Sequence, residues 1–414
     1  MAVSHSVDVL VVGGGPVGAC AAALLAGRAG DGIGEPPGVA LLEPQRPAWP
    51  DREEEADLRV FAFSRASERI LASAGAWEAV AGHRVSPYER MHVWHADEAP
   101  DSKSALTFDA AEAGEPNLGY IIENRLVQAA LLAAFEERGG YVASGTLISL
   151  EVGRERVRVV TSCGVFDARL VIGADGARSS VRDAVGIRAE SVDYQQRGLV
   201  AVVATERPHA RTAWQRFLPS GTLAFLPLAD GTSSIVWSMD ADEVARLLAA
   251  DADAFAGALD AASDGVLGRT HLRSARQAFP LQRLSAERYV AERVALIGDA
   301  AHVVHPLAGQ GVNLGLLDAA CLAETILAAR SQREDPGALR VLRRYERWRR
   351  SENELMSAAI DAFNRFLAHG AGPLARLAQR GLGIVNRSQE LKAVFIRRAL
   401  GLTGELPAAA RAKG

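Results

Sequence analysis

The start of the chain combines an apolar stretch, three consecutive glycines and an alanine-rich run. Residues 7–12 are β-branched or apolar with one exception, and glycines occupy positions 13–15. From Pro16 onward the sequence PVGACAAALLAG is typical of a helix. A buried strand that turns at once into a helix favours an α/β fold.

The glycines at this turn have the spacing GxGxxG, formed by Gly13, Gly15 and Gly18. In nucleotide-binding units, the first glycine makes the turn, the second lets the backbone approach a pyrophosphate, and the third lets helix and strand pack closely. The helix N-terminus, at Pro16 and Val17, would then face the phosphates. The motif therefore predicts a dinucleotide site.

A second apolar run, residues 39–42, ends in Glu43. An acid at the tip of the second strand can accept hydrogen bonds from a ribose hydroxyl. The stretch GDGIGEPPG, a predicted loop, accounts for the long separation of Gly18 from Glu43. An ordinary glycine-rich turn is the alternative, but strand, helix and acid follow in the order that predicts an adenine dinucleotide.

Two later stretches contain an apolar strand that ends at an aspartate. Residues 170–182 read LVIGADGARSSVR, with Asp175 at the strand end, and residues 294–317 read VALIGDAAHVVHPLAGQGVNLGLL, with Gly298 and Asp299. Asp299 falls where strand gives way to helix, so its carboxylate could accept a hydrogen bond from a sugar-like hydroxyl. The alternatives are an Asx turn at Asp175 and a helix cap at Asp299.

These three motifs resemble those of the aromatic-hydroxylase class of FAD monooxygenases, which carry a GxGxxG, a DG motif and a GD motif in this order. Within that class the chain looks most like the ubiquinone-biosynthesis hydroxylases of the polyprenylphenol hydroxylase type. The resemblance covers essentially the whole chain. It is carried by HPLAGQGVNLGLLD at 305–318, DLRVFAFSRAS at 57–67, GYIIENRLV at 119–127, YQQRGLVA at 194–201, WQRFLPSGTLAFLPL at 214–228 and FIRRALGLTGELP at 395–407.

The resemblance implies an α/β fold. It consists of a Rossmann-like FAD-binding domain of the glutathione-reductase-like or aromatic-hydroxylase type, an inserted β-sheet substrate domain and a helical C-terminal region. The FAD-binding domain is predicted to be discontinuous, over residues 1–75, 95–187 and 285–330. The substrate domain is assigned to 76–94 and 188–284, and the helical region to 331–414.

The resemblance also assigns residues to the cofactor. Asp299 would hold the ribityl chain and the pyrophosphate side of FAD, and residues 123–125 would lie near the ribityl side. Arg59 would lie beside the isoalloxazine, with a solvated loop arginine as the alternative. Asp175 and Arg178 would form the DG motif, which supports FAD and is implicated in the approach of the reduced pyridine nucleotide. The full predicted cofactor set is Gly13, Gly15, Pro16, Val17, Gly18, Glu43, Arg59, Glu123, Asn124, Arg125, Asp175, Gly298, Asp299, Gly311, Val312 and Asn313.

The loop after the GD motif is the predicted catalytic element. Gly309 and Gly311 lack side chains, so backbone N–H groups could approach the flavin pyrimidine edge and a bound peroxide. The helix that follows adds the positive end of its dipole, which would stabilise an anionic reduced flavin. His302 and His305 flank the loop as acid–base candidates, with a structural role as the alternative. The predicted catalytic set is Pro306, Gly309, Gln310, Gly311 and Val312.

The implied activity is hydroxylation of the aromatic ring of a polyprenylated phenol or quinol in ubiquinone biosynthesis. It would use FAD as cofactor, O2 and NAD(P)H as co-substrates, a flavin hydroperoxide and no metal. Three alternatives stay open: hydroxylation or epoxidation of another aromatic metabolite, a geranylgeranyl-type reductase, and a non-catalytic FAD-binding scaffold subunit. The QGVNLGLLD loop argues against the last two.

The segment from Tyr194 to about Leu281 alternates apolar and polar residues, which predicts paired strands with a turn at Asp230 and Gly231. Such a sheet would cover the flavin. Its aromatic side chains could line a substrate pocket or simply form core. They are Trp214, Phe217, Phe225 and Trp237.

Charge and cysteine content argue against other classes. The 46 Lys and Arg against 50 Asp and Glu give a net charge of -4, which offers no chain-wide reason to bind nucleic acid. The three cysteines have no CxxC or Cys/His spacing, so neither a zinc site nor a disulfide framework is expected. No basic region precedes the first apolar stretch, so a signal peptide is not expected. No segment is expected to reach the roughly 20 apolar residues of a membrane span.

The chain from Asp318 onward has a helical composition, and residues 340–356 form a predicted basic amphipathic helix. Its arginines could face anionic lipid or water. The predicted location is cytoplasmic, with peripheral contact at the inner face of a membrane as an option. The predicted partners are a lipophilic aromatic substrate, other ubiquinone-biosynthesis proteins and a second copy. Apolar residues further on could pack on the domain, meet that copy or touch a membrane: Phe363, Phe366, Leu367, Leu374, Leu377, Leu382, Ile384 and Val385.

Overall fold

A computed structural model describes residues 4–27, 36–51, 54–304, 309–367, 400–401 and 403–412, with the side chains of the last long helix described to residue 357. The strands in these ranges are β1 (Ser4–Val12), β2 (Val39–Leu42), β3 (Val60–Phe63), β4 (Ser86–Tyr88), β5 (Arg90–His95), β6 (Leu106–Asp109), β7 (Gly119–Glu123), β8 (Tyr141–Ala143), β9 (Leu147–Val152), β10 (Val157–Thr161), β11 (Gly164–Gly173), β12 (Ala189–Thr205), β13 (Thr212–Leu218), β14 (Gly221–Pro227), β15 (Ser233–Asp240), β16 (Thr270–Leu272), β17 (Gln277–Ala286), β18 (Val290–Ala291), β19 (Val294–Leu296) and β20 (His302–Val303). The helices are α1 (Pro16–Ala26), α2 (Arg65–Ala74), α3 (Trp77–Ala81), α4 (Asn124–Glu137), α5 (Ser180–Ala184), α6 (Ala241–Ala249), α7 (Ala252–Ala262), α8 (Gln310–Ser331) and α9 (Leu339–Leu367).

The first sheet brings the predicted nucleotide-site motifs to one edge. Its strand order is β18-β19-β11-β1-β2-β8, with β10 and β9 added beside β11. Strand β1 pairs in parallel with β11 and β2, and β11 pairs in parallel with β19. Parallel strands end at the same edge of a sheet. The glycine turn, Glu43, Asp175 and Asp299 therefore follow the ends of four adjacent strands.

The first sheet is covered by helices on its faces, as parallel sheets usually are. Val9, Leu10 and Val11 of β1 are fully buried, and α1 packs against both α8 and α4. This burial explains why β1, β2 and the end of β11 have nearly unbroken apolar sequences.

The second sheet has the order β20-β17-β12-β15-β14-β13-β5-β6, with β16 beside β12. The predicted turn at Asp230 is present between β14 and β15, where the Asp230 carboxylate accepts from the Thr232 N–H at 2.9 Å and Gly231 has φ +87°. Helices α6 and α7 pack on one face of this sheet. The other face packs toward the start of α8 and toward strand β3.

Strands β5 and β6 both belong to the second sheet, because β5 pairs in parallel with β13 and in antiparallel fashion with β6. The predicted boundary at residue 95 placed Leu106–Asp109 in the FAD-binding domain, whereas its hydrogen bonds lie in the second sheet. The division into three domains stays a prediction, with this strand on the side of the substrate domain.

A third, small sheet has the strand order β3-β7-β4. Its strands pair in antiparallel fashion, and Val60 faces Glu123 across β3 and β7. The chain around Arg59 and the start of α4 are therefore held side by side, and the Asn124 N–H donates to the Arg59 carbonyl at 2.8 Å.

Helix α8 corrects the expectation that no segment reaches the length of a membrane span. Its 22 residues are long and apolar enough to cross a bilayer by composition. However, 67% of its most apolar window is buried inside the protein, where it packs against α1 and α9. Such burial is typical of the core helix of a globular domain.

Candidate active site

The glycine turn after β1 leaves its backbone open on one side. Gly13 has φ +101°, and a Cβ there would lie 2.4 Å from the Ala174 carbonyl oxygen. A Cβ on Gly18 would lie 2.0 Å from the Gly13 carbonyl oxygen, so this glycine allows the close approach of α1 to the turn. A Cβ on Gly15 would meet no atom within 4 Å. Gly15 is thus the position where the backbone borders free space.

The first turn of α1 is available to an anion. Gly15 precedes the helix, which starts at Pro16 and has neither a side-chain cap nor an acidic residue in its first turn. The N–H groups of a first helical turn lack partners within the helix and favour negative charge. This arrangement fits the pyrophosphate of a dinucleotide.

Glu43 lies beside the turn. Its carboxylate accepts from the Gly14 N–H at 2.6 Å and from the Gln45 N–H at 3.0 Å. The side chain is only partly buried. Glu43 therefore orders the glycine turn, and its contact with a ribose stays a prediction.

Asp299 follows the end of β19. Its side chain is exposed, yet the surrounding protein removes enough solvent to raise the pKa of its carboxyl, while nearby His302 and Arg59 act to lower that pKa. Arg59 is therefore close enough to act on the charge of Asp299, and their contact with one cofactor stays a prediction. Arg59 is otherwise exposed and lies over the Phe61 ring, 6.0 Å from its centroid.

The DG loop is closed by its own aspartate. Asp175 accepts from the Ser179 hydroxyl at 2.5 Å and from the Val181 N–H, in the first turn of α5, at 3.1 Å. These bonds give Asp175 a structural role, but they differ from the predicted Asx turn, in which the carboxylate accepts from the N–H two residues on. A role toward FAD stays a prediction. Arg178 is exposed. Arg182, which sequence reasoning did not single out, is buried and donates to the Ala300 carbonyl at 3.1 Å. It ties the DG loop to the GD motif.

Helix α8 begins at a glycine in the left-handed region. Gly309 has φ +59° and precedes the helix without a side-chain cap. The first turn carries no acidic residue, and Gln310, Gly311 and Val312 are partly exposed. The positive end of a 22-residue helix is therefore accessible where the catalytic loop was predicted.

Asn313 fixes this helix start to β3 and α2. Its side-chain amide donates to the carbonyls of Ala62 and Gly309 at 2.8 and 3.0 Å. Its oxygen accepts from the Ser64 N–H at 2.9 Å and from the Ser67 hydroxyl at 2.6 Å. The Asn313 side chain is thus fully used within the protein, which sequence reasoning did not foresee.

The segment 123–125 is also held by protein contacts. Glu123 is buried, accepts from the Asp57 N–H at 2.8 Å and pairs with Arg84 at 2.9 Å. Arg125 pairs with Glu54 at 2.7 Å. These contacts position the loop that carries Arg59, and direct binding of FAD by Glu123 and Arg125 stays a prediction.

A buried polar cluster beneath the GD motif was not predicted from the sequence. Asp318 of α8 is fully buried; it accepts from the Gly298 N–H at 3.1 Å and from His302 Nε2 at 2.5 Å. Its other oxygen accepts from Arg349 Nε at 2.8 Å and from the Asn353 amide at 3.1 Å. We call these the Asp318 cluster. It connects α8 and α9 to the loop that carries Asp299.

The Asp318 cluster predicts a specific pH dependence of stability. Burial alone would raise the pKa of Asp318, but the ion pairs with His302 and Arg349 hold it well below its usual range. A lowered folded-state pKa stabilises the protein above the unfolded pKa of about 3.9 and is lost as the pH falls below it. We expect the stability difference between wild type and Asp318→Asn to be constant from about pH 5 to 8 and to shrink below about pH 4. Urea unfolding across this range measures it, and a difference that grows in acid would contradict the assignment.

The four aromatic residues considered for a pocket lie on different faces of the second sheet. Trp214, Phe225 and Trp237 pack into the core under α6 and α7. Phe217 packs on the opposite face with Val304 and Leu314. The core alternative therefore describes the first three, because alternate positions along a strand point to opposite faces.

Two predicted residues, His305 and Pro306, lie outside the described residues. His302 is buried, and its Nε2 is committed to Asp318, while Nδ1 has no partner within the described part of the chain. This placement agrees with the structural alternative for His302.

The described residues fit an extended dinucleotide that carries a flavin. Open backbone at Gly15 and the free first turn of α1 suit the pyrophosphate. Asp299 is accessible and suits sugar-like hydroxyls, and the uncapped start of α8 suits the electron-rich edge of the ring system. All three elements lie at the carboxyl edge of one sheet or directly beside it.

Comparison with known proteins gives the same class. The chain matches the family model described as "FAD binding domain" over residues 6–356. Fold and site together define a FAD-dependent aromatic-ring hydroxylase, with FAD as cofactor, NAD(P)H as co-substrate, and O2 and an aromatic compound as substrates. Curated relatives narrow this class, and the chain belongs to the family of ubiquinone-biosynthesis FAD-dependent hydroxylases.

Three relatives carry this assignment. "Ubiquinone hydroxylase UbiL" of Rhodospirillum rubrum is 37% identical over 404 residues, which are 95% of this chain and 89% of the relative. "3-demethoxyubiquinol 3-hydroxylase" of Escherichia coli is 36% identical over 406 residues, 95% of this chain and 98% of the relative. Human "Ubiquinone biosynthesis monooxygenase COQ6, mitochondrial" is 34% identical, with 93% of this chain and 90% of the relative covered.

Solved structures share the fold at lower identity. The p-nitrophenol 4-monooxygenase PnpA from Pseudomonas putida superposes with a TM-score of 0.76 at 20% identity, covering 97% of this chain and 99% of that chain. The flavin-dependent brominase Bmp2 gives a TM-score of 0.76 at 16% identity, covering 98% and 96%. These likenesses extend over both sheets and confirm the predicted α/β fold class.

Proposed function

We propose that the chain hydroxylates the aromatic ring of a polyprenylated phenol or quinol intermediate of ubiquinone biosynthesis. Relatives whose names state such reactions support the pathway. The observation that carries the ring chemistry is the free N-terminus of α8 at Gly309, placed against the face of the second sheet that bears Phe217.

The residues of the chain hold and orient the reactants. FAD, when bound, supplies the electrons and the O2 activation that protein side chains lack. The turn at Gly15 and the first turn of α1 would hold its pyrophosphate, and Asp299 its sugar-like chain. The backbone N–H groups of Gln310, Gly311 and Val312 would stabilise negative charge on the ring system. Asn313 keeps these N–H groups fixed relative to β3.

The sheet face opposite α8 supplies the other wall. Val93, Leu106 and Phe217 pack there with Val304 and Leu314, which lie on either side of the loop before α8. An apolar wall at this place excludes water and holds a flat apolar ring against the flavin. Positioning, without a general acid or base on the chain, is the expected catalytic contribution of the protein.

We further propose that the enzyme works at a membrane surface, in the cytoplasm. A polyprenyl tail partitions into the bilayer, and basic helices bind anionic headgroups. Helix α9 exposes Arg340, Arg343, Arg344 and Arg347, of which Arg340 and Arg344 share Glu334 as an ion-pair partner. Contact with other ubiquinone-biosynthesis proteins or a second copy belongs to the same proposal; the apolar residues from Phe363 onward that suggested it lie outside the described side chains.

The proposed function predicts selective stimulation of NADPH oxidation. We expect ortho-geranylphenol, a short polyprenylphenol, to accelerate NADPH consumption by the FAD-loaded protein at least about 10-fold more than geranylbenzene, which lacks the ring oxygen. Mass spectrometry should find a product with one added oxygen atom. The test includes p-nitrophenol as a phenol without a prenyl chain. Equal or greater stimulation by p-nitrophenol would favour another aromatic substrate and contradict the proposal.

A further inference from the structure

Gln215, in the middle of β13, is a largely buried residue whose side-chain amide has no hydrogen-bond partner among the described residues. The residue is 5% exposed, its side chain makes no hydrogen bond among the described residues, and its amide atoms are not among the fully enclosed ones, so they reach accessible space. Burying a polar group without a partner is costly, so buried amides are normally paired. Gln196, also buried in this sheet, follows that rule and donates to the Ser220 carbonyl at 3.0 Å. The contrast indicates that the Gln215 amide is available to a polar group that enters the space beside it.

The strand register fixes the face on which Gln215 lies. Gln215 is paired with Val93 on β5 and with Ala224 on β14. Residues paired across a sheet share a face, as do residues two apart on one strand. Gln215 therefore shares its face with Val93 and Phe217, and not with Trp214, which packs under α6 and α7.

Apolar contacts on either side of Gln215 join this face of the second sheet to the start of α8 and to β3. At one end Val93 and Phe217 pack with Val304 and Leu314, which lie before and after the loop at the start of α8. At the other end Leu226, two residues beyond Ala224, packs in a cluster with Val60 and Ala62 of β3. These two contact regions therefore lie on either side of the strand position that Gln215 occupies.

Both contact regions converge on the start of α8. The Ala62 carbonyl accepts from Asn313, and a Cβ on Gly309 would lie 3.4 Å from Ala62. The amide of Gln215 therefore lies between the second sheet and the stretch that begins at Gly309. Small side chains flank it there, since Ala213 and Ala224 lie on the same face.

We propose that Gln215 hydrogen-bonds an oxygen substituent on the ring of the aromatic substrate and so selects phenolic over unsubstituted rings. This inference rests on the proposed function. A glutamine amide offers both an acceptor oxygen and two donor hydrogens, so it can pair with a phenol hydroxyl as acceptor or with a ring ether as donor. The surrounding wall is apolar, so this one polar contact fixes which edge of the ring faces the sheet.

Such a contact discriminates strongly between ligands. A buried site that hydrogen-bonds a ligand hydroxyl rejects an analogue without that hydroxyl, because its own polar group is then left unpaired. Gln215 is a specificity-determining residue in this sense. It is not expected to contact FAD, so its replacement should leave the flavin content of the protein unchanged.

The test is a binding cycle on the FAD-loaded protein, with flavin absorbance as the readout. Dissociation constants of ortho-geranylphenol and geranylbenzene are measured for wild type and Gln215→Met, which keeps the length of the side chain. We expect Gln215→Met to weaken the phenol at least about 10-fold and to change geranylbenzene by less than about 2-fold. Gln196→Met is the matched control, because Gln196 already has a partner within the protein; it should show no phenol-specific loss.

The outcomes separate the inference from the proposed function. Wild type that binds both ligands equally, or neither, defeats the proposed phenol substrate and the inference with it. Wild type that prefers the phenol, together with a Gln215→Met variant that keeps this preference, overturns the inference alone. An equal loss for both ligands also overturns it, since that result assigns Gln215 a packing role. If Gln215→Met does not fold, Gln215→Asn, whose amide is one methylene shorter, is expected to show the same phenol-specific loss.

Discussion

Replacing Arg349 with methionine is expected to lower the free energy of unfolding by about 3–5 kcal/mol, because it removes the permanently charged partner of a buried carboxylate and leaves only His302 to offset its charge. Arg349 is 3% exposed; it donates to Asp318 at 2.8 Å and to the Asn353 side-chain oxygen at 2.7 Å. Asp318 itself is fully buried. Methionine keeps much of the side-chain volume, so the loss would report the charge and not a cavity. Urea unfolding of the purified variant measures it.

The neighbouring residue provides the matched control. Arg350 follows in the same helix, but its side chain is 41% exposed and it pairs with Glu354 in solvent. Exposed pairs of this kind contribute about 0–1 kcal/mol, so Arg350→Met should change stability by less than that. Similar losses for the two variants would show that the Asp318 cluster does not depend on Arg349. A double variant, Arg349→Met with Asp318→Leu, should recover part of the loss, because it removes both buried charges.

Replacing Gly15 with valine is expected to weaken FAD binding at least about 100-fold while leaving the apoprotein folded. The position is open, since a Cβ there would have no atom within 4 Å, and its backbone angles suit any residue. A branched side chain there fills the space that the pyrophosphate must enter and covers the N–H groups of α1. We expect a stability change within about 1 kcal/mol, as for other substitutions at a helix N-cap. Flavin fluorescence titration and thermal unfolding of the apoprotein separate the two effects.

Gly18 gives the opposite result from the same motif. A Cβ there would lie 2.0 Å from the Gly13 carbonyl oxygen, so Gly18→Val should prevent α1 from packing and should fail to yield folded protein. The pair therefore distinguishes a glycine that borders the ligand from one that allows packing. Normal FAD binding by Gly15→Val would refute the placement of the pyrophosphate.

The sequence predicted the elements that have local signals. Strand, turn and helix around Gly13 follow from an apolar run, the glycines and an alanine-rich stretch. The β14–β15 hairpin follows from alternation around Asp230 and Gly231. Each of these elements depends on neighbours in the chain, and each is present in the structure.

Long-range pairing could not be predicted in the same way. Strand β5 joins β13 through residues that are more than 100 positions apart, as in the pairing of Arg90 with Thr212. Neither strand carries a local signal for the other, and the pairing of β6 with β5 in the second sheet was not foreseen. The sequence also does not show which face of a strand packs against α6 and α7, because alternation of apolar and polar residues distinguishes two faces without assigning either to a neighbour.

Of the two charged residues at the centre of the Asp318 cluster, the sequence marks the aspartate as unusual but not the arginine. Asp318 is an isolated acid in the apolar run NLGLLDAACLA, and an acid in a buried helix requires a partner. Arg349, by contrast, lies in the run RRYERWRR, where nothing separates it from its solvent-exposed neighbours. Only the packing of α9 on α8 shows which arginine faces inward.

We propose that the carboxyl edge of the first sheet, together with the start of α8, holds FAD. Every other assignment depends on this placement, and titration of the wild-type apoprotein with FAD tests it most directly. We expect saturation at one FAD per chain, with a yellow protein whose flavin fluorescence changes on binding. A folded wild-type chain that stays colourless in excess FAD would contradict this placement of the cofactor.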